Sequence, residues 1–262
     1  MKIITNNVNI NNSKAQLISY VDNNLDGSNQ IPIIIVPGGS YTNIDLKQNQ
    51  KVALKFLSLG YQVSILRYSL VGEIKPFLPE PLKDLAHSVN IIKSNANNWK
   101  IDANKLILMG FSIGGHVVSN FNNYWNSTWL KQQTNISNSL LKPFGTILGF
   151  PVISPYLGFP DKKTLKTWSD NPGFSASDKY VNTDNVPTFI WGTSDDSAVP
   201  VQNALSYYES LIDKNIPAEL HLFEHGPHGL LLATAQTAYD QKHIDKRIAQ
   251  WVSLADSWIQ KL

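Results

Sequence analysis

The chain has 262 residues, no cysteine, a formal net charge of +2 and 16% charged residues. The length suits one α/β domain, 1–262, with a core of its own. The missing cysteines exclude a disulfide framework, a thiolate metal site and a cysteine nucleophile, and the balanced charge argues against a nucleic-acid groove or a polybasic membrane anchor. The N-terminal stretch "MKIITNNVNINNSKAQL" lacks the apolar core of a secretion signal. No apolar run approaches the ~20 residues that span a bilayer. A cytoplasmic protein with no membrane and no nucleic-acid partner is expected.

In chain order, "IPIIIV" (31–36) reads as a strand and 46–59 as an amphipathic helix. "YQVSILRY" (61–68) is followed by a helix over 82–98, and "KLILMG" (105–110) by a helix over 114–124. Further strands fall at "GTILGF" (145–150), "VPTFIW" (186–191) and "AELHLF" (218–223), with helices at 201–213 and 243–261. The strands are short and apolar on both faces, as buried parallel strands are. Their alternation with helices predicts an α/β protein with a mostly parallel open sheet covered on both faces. Residues 70–81 and 151–185 are proline-rich and fit no regular element. The second is long enough to be a cap-like insertion.

The stretch "ILMGFSIGGH" (107–116) runs from a strand through a glycine-boxed serine into a helix. That is the context of a G-x-S-x-G nucleophile elbow, with Ser112 at the turn and Gly110 and Gly114 where side chains would collide with backbone. A plain tight turn with a capping serine is the competing interpretation, and the rest of the chain decides between them. "IIIVPGGSY" (33–41) is a second strand running into glycines. Backbone N–H groups of Gly38, Gly39 and Ser40, with that of Ile113, can stabilise an oxyanion. A phosphate loop is excluded, because neither G-x-x-x-x-G-K-[ST] nor G-x-G-x-x-G is present.

A serine nucleophile needs a base, and the base needs a carboxylate to hold its tautomer. In this architecture the chain order is Ser, then acid, then His. "FIWGTSDDSAVP" (189–200) offers Asp195 and Asp196, and "LFEHGPHGL" (222–230) offers His225 and His228, both just after strands. Asp196 is chosen for its D-x-x-x-P spacing to Pro200. His228 is chosen for its place between Pro227 and Gly229. Asp195 and His225 are expected to be solvated loop residues, and His87, His116, His221 and His243 to be structural members of helices or strands.

Together these stretches resemble the α/β-hydrolase superfamily. Within it they are similar to the bacterial acetyl-xylan-esterase and feruloyl-esterase-like carboxylesterases, which are related to the hormone-sensitive-lipase type. "VPGGSYTNI", "LGYQVSILRYSL", "PEPLKDLAHSVNIIKSNANNWKIDANKLILMGFSIGGH", "GFPVIS", "PTFIWGTSDDSAVPVQNALSYYESL" and "ELHLFEHGPHG" carry the resemblance, over about residues 31–230. It implies Ser112 as nucleophile, Asp196 as orienting acid, His228 as base, and oxyanion donors at Gly39, Ser40 and Ile113. Two positions depart from the family pattern. Ser40 replaces the last glycine of the P-G-G-G loop, and Gly192 stands where a histidine often precedes the threonine of the acid loop.

The function expected from this is hydrolysis of small short-acyl esters, acetylated sugars among them, with no cofactor and no metal. The acyl group is expected in a space bounded by residues 38–41, with Gly38 and Tyr41 as substrate contacts. Tyr156, Phe159 and Trp168 of the 151–185 segment are expected to wall or cap that space. The alternatives are a non-catalytic ligand-binding homologue and a small serine peptidase. The sequence leaves open whether the protein is a homo-oligomer.

Overall fold

The computed structural model describes residues 1–8, 14–22, 27–75, 77–168 and 176–262. The strands are β1 (Lys2–Asn7), β2 (Gln16–Val21), β3 (Pro32–Val36), β4 (Gln62–Arg67), β5 (Ile107–Phe111), β6 (Gly145–Gly149), β7 (Thr188–Thr193) and β8 (Ala218–Phe223). Among the described residues they form one sheet in the order β1-β2-β4-β3-β5-β6-β7-β8. β1, β2 and β4 pair antiparallel, and all other neighbours pair parallel. The helices are α1 (Leu46–Leu57), α2 (Glu80–Ser94), α3 (Ala96–Trp99), α4 (Ile113–Tyr124), α5 (Thr128–Thr134), α6 (Asn138–Leu141), α7 (Lys162–Trp168), α8 (Gln202–Asp213) and α9 (Trp251–Lys261).

The period-two geometry of a strand sends alternate side chains to opposite faces, and this divides the core in two. Ile34, Val36, Leu108, Leu148 and Ile190 join one apolar layer with α2, α4 and α8. Ile33, Ile35, Ile107, Met109, Ile147 and Phe189 join the other with α1 and α9. In this second layer Trp191 of β7 stacks on Trp251 of α9, ring centroids 4.8 Å apart at 15°. The Trp251 indole N–H donates to the Leu231 carbonyl at 2.7 Å.

The six expected strands are present, and the sheet is larger than the sequence showed. β1 is exposed or half-buried at every position, so it carries no apolar pattern. The expected helix over 243–261 begins only at Trp251. Asp245 stops it earlier, because its carboxylate caps the N–H groups of Arg247 and Ile248 and its own N–H donates to the Ala233 carbonyl. His243 therefore lies in a short 3₁₀ turn, bonded to Asp240, and not in a helix. The 151–185 segment is not wholly irregular: it contains α7 and 3₁₀ turns at Pro155–Leu157 and Ser177–Tyr180. Residues 169–175 of it lie outside the described residues. Among the described residues no helix is long and apolar enough to cross a membrane.

Candidate active site

Ser112 stands between β5 and α4 with φ 53° and ψ −120°, a conformation costly for a residue with a side chain. Backbone crowding enforces it. A Cβ on Gly110 would lie 2.4 Å from the Gly114 carbonyl oxygen, and one on Gly114 would lie 2.0 Å from that of Val36. The elbow is also tied to the next strand: the Ser112 N–H donates to the Gly149 carbonyl at 3.0 Å, and the Val152 N–H donates to the Ser112 carbonyl at 2.9 Å.

Parallel pairing brings the other groups to the same edge. The register sets Val36 beside Gly110, Phe111 beside Gly149, and Thr193 beside Phe223. The loops after β3, β5, β7 and β8 therefore open together at the carboxyl ends of the strands, where ligands bind in such sheets. His228 Nε2 lies 2.8 Å from Ser112 Oγ, and His228 Nδ1 lies 2.6 Å from Asp196 Oδ2. The other carboxylate oxygen, Asp196 Oδ1, accepts the N–H groups of Ala198 and Val199, both at 2.9 Å. The Asp196 side chain is 2% exposed and that of His228 is 22% exposed. The Phe150 ring meets the imidazole edge-on at 5.0 Å.

The doubled residues sort into two pairs. Asp195 Oδ2 sits 3.0 Å from His225 Nδ1, and Asp195 Oδ1 accepts the Gly226 N–H at 2.8 Å. Those two bonds, first that from Gly226 and then that from His225, hold the Asp195 carboxyl below its usual range. Both side chains are more than half exposed, and neither touches Ser112.

The loop after β3 turns on Gly39. Its φ is +127°, and a Cβ there would fall 1.7 Å from the Asn43 carbonyl oxygen. Thr42 and Asn43 both donate backbone N–H groups to the Gly39 carbonyl. Among the described residues, the N–H groups of Gly39, Ser40 and Ile113 have no backbone acceptor, as donors reserved for a ligand would not. Gly38, Gly39 and Ser40 line a cleft of about 250 Å³ with Ser112 and His228. Its walls are polar on the side of Asn43, Asp45, Gln48, Asn49 and Tyr239, and apolar at Phe111, Phe150 and Leu231. Burial, and then the Asp45 charge, raise the Tyr239 phenol above its usual range. Larger hollows of about 640 and 580 Å³ lie elsewhere and include neither Ser112 nor His228. Among the described residues no cluster of three or more metal-binding side chains is present.

Four residues expected at the acyl space fall elsewhere. Tyr41 is 1% exposed and is not part of the cleft wall. Its ring packs edge-on against Phe77, Trp168 and Tyr68, away from Ser112. Tyr156, Phe159 and Trp168 do not line the cleft either: Trp168 is buried against Tyr41, Phe159 lies beside Trp168, and Tyr156 is largely exposed. The sequence missed the polar wall. Its Asn, Asp and Gln residues sit in the first turn of α1 and its approach, where they read as ordinary capping chemistry. Asp45 does cap α1 through the Gln48 N–H.

The BD-FAE family model matches residues 20–140. An acetylxylan esterase of Xylanibacter ruminicola is 26% identical over 245 residues, 87% of this chain and 46% of its own length. The chain spans less than half of each curated relative it matches. Two solved structures from Lactobacillus plantarum WCFS1 cover the whole chain and 98% of their own. The carboxylesterase Cest-2923 is 26% identical with a TM-score of 0.91, and a carboxylesterase candidate is 40% identical with a TM-score of 0.81. The chain belongs to the carboxylesterases of the α/β-hydrolase fold.

Proposed function

We propose that the protein is a serine carboxylesterase for small short-acyl esters, with Ser112 as nucleophile, His228 as base and Asp196 as orienting acid. The observation that carries this is the continuous series Asp196–His228–Ser112, with bonds of 2.6 and 2.8 Å. His228 Nε2 takes the proton as Ser112 Oγ attacks the ester carbonyl. Asp196 keeps the proton on Nδ1 and stabilises the imidazolium that forms. The N–H groups of Gly39, Ser40 and Ile113 receive the oxyanion. His228 then protonates the leaving alcohol, and a water molecule activated by the same nitrogen releases the acid from the acyl-enzyme.

Two features support a small substrate. The cleft of about 250 Å³ is below the ~300–1,000 Å³ of pockets that hold drug-sized ligands. Its polar wall, with the exposed ring of Tyr239, suits a hydroxylated alcohol such as a sugar, in keeping with the acetylxylan esterase among the relatives. The test is nitrophenyl ester hydrolysis with acetyl, butyryl and octanoyl chains, beside acetate release from acetylated xylo-oligosaccharides. Acetyl is expected to be turned over fastest, and Ser112→Ala to remove activity by several orders of magnitude. Activity of Ser112→Ala within tenfold of wild type refutes the mechanism. A kcat/KM that climbs steadily to octanoyl refutes the short-acyl reading.

A further inference from the structure

Ser40 and Tyr41 follow Gly39 with φ of 54° and 61°. Two consecutive residues with side chains thus lie in the left-handed region, an arrangement that persists only where the surroundings over-determine it. Ser40, Thr42, Asn43 and Ile44 are exposed or half-buried, and Tyr41 is the buried residue among them. Its carbonyl accepts the Val71 N–H at 2.9 Å. Its ring meets Trp168 at 4.9 Å and Phe77 at 5.0 Å, both edge-on. Its hydroxyl lies 2.7 Å from His116 Nδ1. His116 belongs to the first turn of α4, the helix that starts at Ile113. Tyr41 therefore bridges the two elements that carry the oxyanion donors: the loop holding Gly39 and Ser40, and the start of α4 holding Ile113.

We propose that Tyr41 is a positioning residue, whose hydrogen bond to His116 fixes the strained loop against α4 and so sets the spacing of the oxyanion N–H groups. Burial pushes the Tyr41 phenol well above its usual range, so the hydroxyl keeps its proton across the working pH. α7 takes part through Trp168, whose ring packs edge-on against the Tyr41 ring and does not line the cleft. The segment expected to wall the acyl space thus acts on the loop after β3 through Tyr41. The inference rests on the esterase reading above. Oxyanion donors act more strongly on the tetrahedral state than on the bound ester. Loosening their spacing is therefore expected to lower kcat while leaving KM nearly unchanged.

The test uses Tyr41→Phe, which keeps the ring and its packing, with His116→Leu, His116→Asn and the double variant Tyr41→Phe/His116→Leu. Kinetics on nitrophenyl acetate are normalised to active sites titrated with a phosphonate ester. Removing a whole oxyanion donor costs ~10²–10³ in rate, so a loosened pair should cost at least ~10-fold in kcat. KM should stay within ~3-fold, and affinity for a boronic acid that mimics the tetrahedral state should fall with kcat/KM. The double variant should be no slower than the single ones, since both remove one bond. His116→Asn, whose amide can still take the Tyr41 hydroxyl, should recover most of the rate. A kcat per titrated site within twofold of wild type for Tyr41→Phe overturns the inference, as do additive losses in the double variant or an Asn variant as slow as Leu. Failure of the esterase reading looks different: the phosphonate would then leave Ser112 unlabelled in the wild-type protein.

Discussion

Asp196→Asn probes the site with almost no change of shape. In the native site Oδ1 accepts two backbone N–H groups, from Ala198 and Val199, and Oδ2 accepts from His228 Nδ1. An asparagine amide keeps one acceptor only. The two fixed N–H groups claim its oxygen, which leaves the NH₂ pointing at His228. The imidazole must then accept at Nδ1 and carry its proton on Nε2, the atom that faces Ser112 Oγ. In that tautomer it cannot take the serine proton. Loss of the correct tautomer in a Ser-His-Asp site costs ~10⁴ in kcat, about 5.5 kcal/mol of transition-state stabilisation. Asp195→Asn serves as the internal control. Its pair with His225 is more than half exposed and so screened by solvent, and it makes no hydrogen bond to Ser112. Activity is therefore expected within ~3-fold of wild type. The assay is kcat/KM for nitrophenyl acetate on both variants, with thermal melting to show that each is folded. Asp196→Asn within tenfold of wild type, or Asp195→Asn the slower of the two, refutes the assignment.

Gly114→Ala forces a methyl group against the Val36 and Pro37 carbonyl oxygens, at 2.0 and 2.6 Å. Such overpacking costs ~1–3 kcal/mol, so Tm should fall by ~4–8 °C for ~2 kcal/mol, and activity should fall further because the loop after β3 carries the proposed oxyanion donors; an unchanged Tm contradicts the crowding. Asp84→Asn addresses stability against pH. Burial pushes the Asp84 carboxyl up to about 6, against the pull of the Ser69 N–H that it accepts at 2.7 Å. Its folded pKa thus lies above its unfolded value, so this group favours the fold below about pH 4, and that contribution is lost as pH rises to about 6. Relative to wild type, Asp84→Asn should gain stability between pH 4 and 7, by up to about 3 kcal/mol in urea melts. A constant difference across that range contradicts the shift.

Much of this was legible in the sequence because close packing left few choices. β3 and β5–β7 are buried on both faces, so they appear as short, mostly apolar runs. The elbow was readable because two backbones approach too closely at Gly110 and Gly114 for any other residue. β1 was hidden by its exposure, and α5 and α6 by their brevity. Tyr41 was misplaced for a different reason. The letters G-G-S-Y do not reveal that the two residues after Gly39 take positive φ, and that turn is what sends the phenol into the core instead of the cleft. The choice between the two Asp–His pairs rested on the spacing of Asp196 to Pro200 and on the Pro227 and Gly229 that flank His228, whereas the fold separates the pairs by depth.

The stacked indoles of Trp191 and Trp251 also make the molecule observable. Rings held 4.8 Å apart and nearly parallel couple their electronic transitions, and such coupling gives circular dichroism in the near ultraviolet only while the packing is fixed. That signal disappears in collapsed states that keep secondary structure but lose tertiary order. Trp191 touches Phe150 at 5.2 Å, and Phe150 touches His228. The pair therefore lies two ring contacts from the imidazole, near enough to register disorder around it. A variant that is silent in the ester assay but keeps this spectrum has lost chemistry, and one that loses both has lost its tertiary packing.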